Sequence, residues 1–248
     1  MENPPGASSH NSPLVPSSLA WVFAALAGVV APALAVLFVA DDPVGARVAI
    51  VSGPILALGL MGTGMIAAAN TGRFWLGILI ALTCAAGLVL LAGAFDALDL
   101  GSAIPAGLAA CIASVSFAAR GTLFARSALG KGWWIAVFVV AGEAAILITA
   151  AALPGALPAW LLALLPAQWA SIALQSAYAT GNPLAAGPAL VALAGTAAAT
   201  MLVWWLWPRR WTYLIMFSTW LALSAMVYHN SAPPEPPDAQ PQATGLAG

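Results

Sequence analysis

Charge is the scarcest commodity in this chain. Its 248 residues carry seven Lys or Arg and eight Asp or Glu, 6% in all, for a formal net charge of -1. A soluble domain devotes about 25% of its residues to charge, so an ordinary water-facing surface is excluded. The near balance of signs also gives no basis for a nucleic-acid or acidic partner. Cysteine is almost absent. Cys84 and Cys111 lie inside apolar runs without CxxC spacing, which argues against a disulfide framework or thiolate metal site and leaves them as small packing residues. Enzymatic constellations are missing too: there is no HExxH, GxSxG, EExxxR-like acid pair or Walker loop, and no acidic cluster for Mg²⁺. No catalytic, metal-binding or cofactor-binding residue is assigned, and no cofactor is expected.

What remains is apolar: 62% of the residues are hydrophobic. A bilayer crossing takes about 20 such residues in a helix. Eight runs qualify or nearly qualify: Ser18 to Ala40, Val48 to Ala69, Phe74 to Phe95, Gly101 to Ala119, Trp133 to Leu153, Pro158 to Tyr178, Pro183 to Trp207 and Trp211 to His229. They are continuously apolar and rich in Ala and Leu, which suits helices; a barrel would need alternating strands of roughly ten residues. The expected fold is an all-α, polytopic membrane bundle over residues 18–230. Polar, Pro-rich tails at 1–17 and 231–248 are expected to be disordered.

The sixth run differs from the others. It is bounded by Pro154 and Pro158, split by Pro166 and closed by Gly181-Asn182-Pro183. Gln168, Ser171 and Gln175 share one helix face behind Pro166, a polar stripe opposite Trp169, Ile172 and Leu174. That pattern suits a helix lying in the interface or dipping in and out. Positive charge supports the same reading. If all eight runs cross, Lys and Arg divide four against three; if the sixth does not, they divide six against one. The expectation is therefore seven spans plus a broken, re-entrant outer hairpin, with eight spans as the alternative. The amino terminus would be inside and the carboxyl terminus outside. Arg120, Arg126 and Lys131 would form an inner basic loop, which sets topology or binds anionic headgroups. Trp204, Trp205, Trp207 and Trp211 read as an interfacial belt around Arg209 and Arg210. Small residues at Gly59, Thr63 and Ala67, and at Gly195 and Ala199, have the spacing that lets helices approach closely.

One acid, Glu143, interrupts Trp133 to Leu153. It lies ten residues from Trp133, about 15 Å along a helix, near the middle of a hydrocarbon core ~30 Å thick. A charge there costs ~2.5–3.5 kcal/mol on insertion scales and marks a functional site by default. Two readings stand: a carboxyl that exchanges a proton or cation during transport, or a protonated carboxyl that ties helices together by a hydrogen bond. Thr83 and Thr196 fall at a similar depth as candidate partners, with Cys84, Cys111, Ser218 and Thr219 near the same level. Arg120, at the end of its run, is expected to snorkel to the interface and so not to pair with Glu143.

The segment PAQWASIALQSAYATGNPL, followed by a further span and Arg209-Arg210, resembles the permease half of ABC-type exporters over Pro166 to Arg210. In that family an outer re-entrant hairpin precedes the final span. The run Trp211 to His229 departs from this pattern. The expected function is a permease-like component in the transport of a small or lipophilic solute. Its surroundings are the lipid bilayer, with other membrane subunits or an ATPase as partners. The alternative is a non-catalytic accessory or assembly subunit. The Ala, Gly and Pro bias suggests a GC-rich bacterial source, and hence the bacterial inner membrane.

Overall fold

The computed structural model describes residues 17–40, 46–94, 103–128, 131–180, 186–207 and 211–231. Apart from Ser17 and Ser231, the expected tails lie outside the described residues, as do Arg209 and Arg210. Every element described is helical: α1 (Ser18–Ala25), a π-helical turn (Leu26–Val30), α2 (Ala31–Ala40), α3 (Ala46–Thr71), α4 (Phe74–Ala94), α5 (Ala103–Ser127), α6 (Gly132–Ala152), α7 (Ala159–Ala163), α8 (Pro166–Thr180), α9 (Gly187–Trp205) and α10 (Trp211–Ser231). Among them, seven helices are long and apolar enough to cross a membrane. The first is continuous through α1, the π-turn and α2; the others are α3, α4, α5, α6, α9 and α10. The architecture is an all-helical, multi-pass membrane bundle. The run Pro158 to Tyr178 forms no eighth long helix. It yields α7, of 5 residues, and α8, of 15 residues, and even α8 is only ~22 Å long.

The centre of the bundle is α3, which packs against α1, α2, α4, α5, α6 and α8. Its window 53–71 is 89% buried, against 17% for Trp211–Asn230 in α10. Small residues make this possible. A Cβ on Gly28 would lie 2.6 Å from the Thr63 amide and 3.1 Å from the Gly59 carbonyl, and one on Gly62 would lie 2.9 Å from the Ala27 carbonyl carbon. Backbones therefore touch where the first span crosses α3, and Gly59 and Thr63 are part of that crossing. In lipid, where apolar surface gains little by leaving its solvent, such close contact supplies much of the association energy. At its end, α3 turns through Gly72, whose positive φ of 66° places it in the left-handed region, with its amide bonded to the Ala68 carbonyl at 2.8 Å. Ser17, expected in the tail, is held at this end of the bundle. Its amide donates to Asn70 Oδ1 at 2.9 Å and its carbonyl accepts from Asn70 Nδ2 at 3.2 Å.

Two expectations change. Arg120 and Arg126 do not form a loop with Lys131. Helix α5 continues to Ser127, and Lys131 directly precedes α6. No proline interrupts α5 beyond Arg120, and Gly121 lets the continuing helix sit against α3, since a Cβ there would meet Ala68 Cβ at 2.8 Å. The second change concerns α8, which does not present an apolar side to lipid. It packs against α3, α5 and α9, and Trp169, Ser171 and Leu174 are all buried, so its polar and apolar sides alike face protein. At the end of the bundle near Ser127, Arg126 Nη1 donates to the Trp204 carbonyl at 2.9 Å, and its guanidinium lies 5.1 Å from the Trp204 ring centroid and 5.9 Å from that of Trp207.

Candidate functional site

The site begins with a break in a helix. Pro166 opens α8 and has no N–H, so Ala167 carries the first free amide of the helix. An apolar interior supplies no water to satisfy it. Glu143, on the neighbouring α6 and 8% exposed, does so: its Oε2 accepts from the Ala167 amide at 2.8 Å. A carboxylate is the favoured partner there, because a helix N-terminus carries partial positive charge. On the other side of the break, Trp169 Nε1 donates to the Ala163 carbonyl at 2.8 Å, so α7's last turn keeps an acceptor satisfied. The chain between Ala152 and Pro166 thus returns from the end of α6 to its middle, nine residues back or ~14 Å.

Arg120 reaches the same place from α5. Its Nη2 donates to Thr196 Oγ1 of α9 at 3.0 Å. Thr196 Oγ1 in turn donates to the Ala192 carbonyl at 2.8 Å, and Ser116 Oγ lies 3.4 Å away. Arg120 Nη1 is buried and has no hydrogen-bond partner. Arg120 and Glu143 both line one cavity of about 440 Å³, together with Thr196 and Thr200. The rest of the lining is apolar: Leu123, Phe124, Val139, Leu164, Leu165, Pro166, Met216, Phe217 and Trp220. Phe217 is 54% exposed, so the α10 wall of the cavity is also the outside of the bundle. Helix α10 packs chiefly on α9 and α7, and α6 and α10 each supply part of the cavity wall. The two opposite charges interact through a medium of low dielectric, while their hydrogen bonds go to different partners.

Of the candidates read from sequence, Glu143 and Thr196 are brought together, with Arg120 between α5 and α9. Thr83 is not with them: it is exposed, and its Oγ1 donates to Leu79 of its own helix at 2.8 Å. Cys84 Sγ bonds the Gly28 carbonyl, and Cys111 is exposed. Gln168, Ser171 and Gln175 do not line the charged cavity. Ser171 and Gln175 lie instead against α3, where a Cβ on Gly53 would come 2.7 Å from the Ser171 carbonyl oxygen and 3.1 Å from Gln175 Cδ. Lys131 is exposed. Among the described residues, no group of three His, Cys, Asp or Glu is placed to hold a metal ion. Sequence reasoning missed the Ala167 amide and the reach of Arg120. The first had a signal, because a proline opening a helix at mid-depth leaves an amide that calls for an acceptor.

The fold and the site together define a class: a multi-pass helical membrane protein with a buried Arg–Glu cavity at a helix break. Comparison with protein families, with curated proteins and with solved structures gave no match.

Proposed function

We propose that the protein is a permease-like component of membrane transport, taking a small or lipophilic solute into the Arg120–Glu143 cavity from between α6 and α10. One observation carries this: two opposite charges are buried beside one cavity, at the broken end of a helix. Each charge costs ~2.5–3.5 kcal/mol at the bilayer centre on insertion scales. A pair needed for stability alone is often replaceable by well-packed apolar side chains at no loss. A discontinuous helix whose N-terminus stops at mid-depth is also a recurrent way of building a solute site in transporters.

The same reading gives a topology of seven crossings, with the amino terminus inside and the segment 154–183 re-entrant from the outer face. It is supported by the start of α8 beside Glu143 and by the gathering of Arg126 and Lys131 at one end of the bundle. Composition supports placement in a bacterial inner membrane, and the energy for any uphill transport would come from an ATPase partner or from a proton or cation gradient acting through Glu143. Reporter fusions at both termini test the topology; tails on the same side refute it. Flux tests the function. Proteoliposomes are given anionic, cationic and neutral fluorescent amphiphiles, and at least one should cross faster than in empty liposomes. Val139→Trp, which fills the cavity, should abolish that flux, whereas Gly142→Trp, directed into open space on the same helix, should not. Flux of none, or equal effects of both substitutions, overturns the reading and leaves the accessory-subunit alternative.

A further inference from the structure

We infer that the cavity takes a small amphiphile with an amine head, whose ammonium donates to Glu143 Oε1. This deepens the transport reading and rests on it for the premise that a solute enters the cavity.

Glu143 is buried, yet one oxygen of its carboxyl is unspent. Oε2 accepts from the Ala167 amide, which fixes the carboxyl against the start of α8. Oε1 has no hydrogen-bond partner among the described residues. The enclosed side-chain atoms that lack a partner there are Arg120 Nη1 and Tyr178 Oη. Oε1 is not one of them, so it keeps accessible surface, on a residue that lines the cavity. Its neighbours on the lining are committed elsewhere. The Thr196 and Thr200 hydroxyls donate to carbonyls of their own helix. Arg120 spends Nη2 on Thr196, and its Nη1 is enclosed by protein.

An ionised carboxylate only accepts, so the group that completes it is a donor, and a charged donor makes the stronger bond. The walls suit a cationic head as well. Phe124, Phe217 and Trp220 line the same cavity, and aromatic faces attract an ammonium, that of Trp most strongly. The charge of Arg120 acts in the opposite direction. Coulombic energy falls with distance, and a head on Oε1 touches the carboxylate, whereas both terminal nitrogens of the guanidinium are spent or enclosed. The attraction therefore exceeds the opposition, and the opposition keeps binding reversible. The volume of about 440 Å³ lies within the ~300–1,000 Å³ of ordinary small-molecule sites. Phe217, half exposed, brings one wall to the outside of the bundle, so an apolar body can leave past it into lipid.

Photolabelling of the full chain in nanodiscs tests this. The bilayer is phosphatidylcholine, whose head has no N–H to donate. The probes are a photoactivatable long-chain primary amine and the carboxylic acid of the same chain, with labelled peptides mapped by mass spectrometry. Amine label is expected at the cavity wall, within residues 164–166 and 216–220, at about ten times the level of the acid or more. Glu143→Gln keeps an acceptor for the Ala167 amide, and so keeps the fold, and should reduce amine labelling about tenfold or more. Competition separates two sources of the same chemistry. Displacement by added phosphatidylethanolamine assigns a membrane lipid, and displacement by benzylamine alone assigns a water-soluble amine. Label that neither displaces overturns the inference, as does equal labelling by amine and acid, or labelling unchanged in Glu143→Gln. Should Glu143→Gln not fold, the first two results still decide. Flux confined to anionic or neutral amphiphiles would leave the transport reading standing and remove this one. Amine bound at the site without flux of any amphiphile would do the reverse.

Discussion

Replacing Glu143 separates a hydrogen-bond acceptor from a charge. In Glu143→Ala the Ala167 amide, buried at the start of α8, loses the acceptor that holds it at 2.8 Å. A buried donor left unmet costs about 1–3 kcal/mol. Polar bonds between helices in lipid fall at the lower end, at about 0.6–2 kcal/mol. The cavity already present beside Glu143 gives the truncated side chain little surface to collapse upon, so no packing gain offsets the loss. The expected cost of Glu143→Ala is thus about 1–3 kcal/mol. Glu143→Gln keeps an oxygen facing the amide and should cost less than ~1 kcal/mol. In a detergent thermal melt, 1 kcal/mol corresponds to about 2–4 °C for a chain of 150–250 residues. The alanine variant should therefore melt about 2–12 °C lower than the parent, with the glutamine variant in between and close to the parent. Equal melting of Ala and Gln variants would show that the charge, and not the bond to α8, stabilises the fold. No shift in either would remove Glu143 from the account of why the broken segment stays in place.

Other outcomes follow from single contacts. Trp169→Phe deletes the Nε1 donor to the Ala163 carbonyl and should destabilise by about 1–3 kcal/mol, read as a lower melting temperature and faster proteolysis near 159–166. Gly28→Ala, which puts a methyl 2.6 Å from the Thr63 amide, should cost about 1–3 kcal/mol by overpacking. Gly142→Ala, facing open space on α6, should stabilise by about 0.5–1 kcal/mol; melts of the pair check the opposite signs. Thr196→Val removes the acceptor of Arg120 Nη2 and should cost about 1–3 kcal/mol, whereas Thr83→Val, altering an exposed hydroxyl bonded within its own helix, should stay within ~0.5 kcal/mol.

The seven long helices were legible because twenty-residue apolar runs admit little else, and the break was legible because Pro154, Pro158 and Pro166 crowd one run, whereas the lone Pro54 is carried inside α3. The face presented by α8 was not. Gln168, Ser171 and Gln175 make a stripe that, on a helix at a surface, would meet water. On a helix enclosed by α3, α5 and α9, Ser171 and Gln175 lie against α3 instead, at the contact with Gly53. Polar periodicity reports that two sides differ; it does not report what each side touches. Glu143 was legible as an unusual acid, but its partner was a backbone amide, which carries no letter of its own in a sequence.

Arg120 shows how a depth count can fail while its arithmetic holds. It lies seven residues from the end of α5, ~10 Å, and Glu143 eleven residues from the start of α6, ~16 Å. The Lys131 amide donates to the Ala128 carbonyl at 2.9 Å, which keeps those two ends nearly level, so the charges begin ~6 Å apart in depth. Snorkelling assumes that a long side chain bends towards the nearer face. On an α-helix, however, the Cα–Cβ bond tilts towards the N-terminus. Helix α5 ends at the basic face, so its N-terminal direction is away from that face and towards the level of Glu143. The side chain that would need to turn back to reach water instead continues along its own bond direction to Thr196. The same arginine at the start of a helix entering from that face would point out of the bundle. Chain direction, and not distance from the end alone, therefore decides that this bundle has a charged cavity.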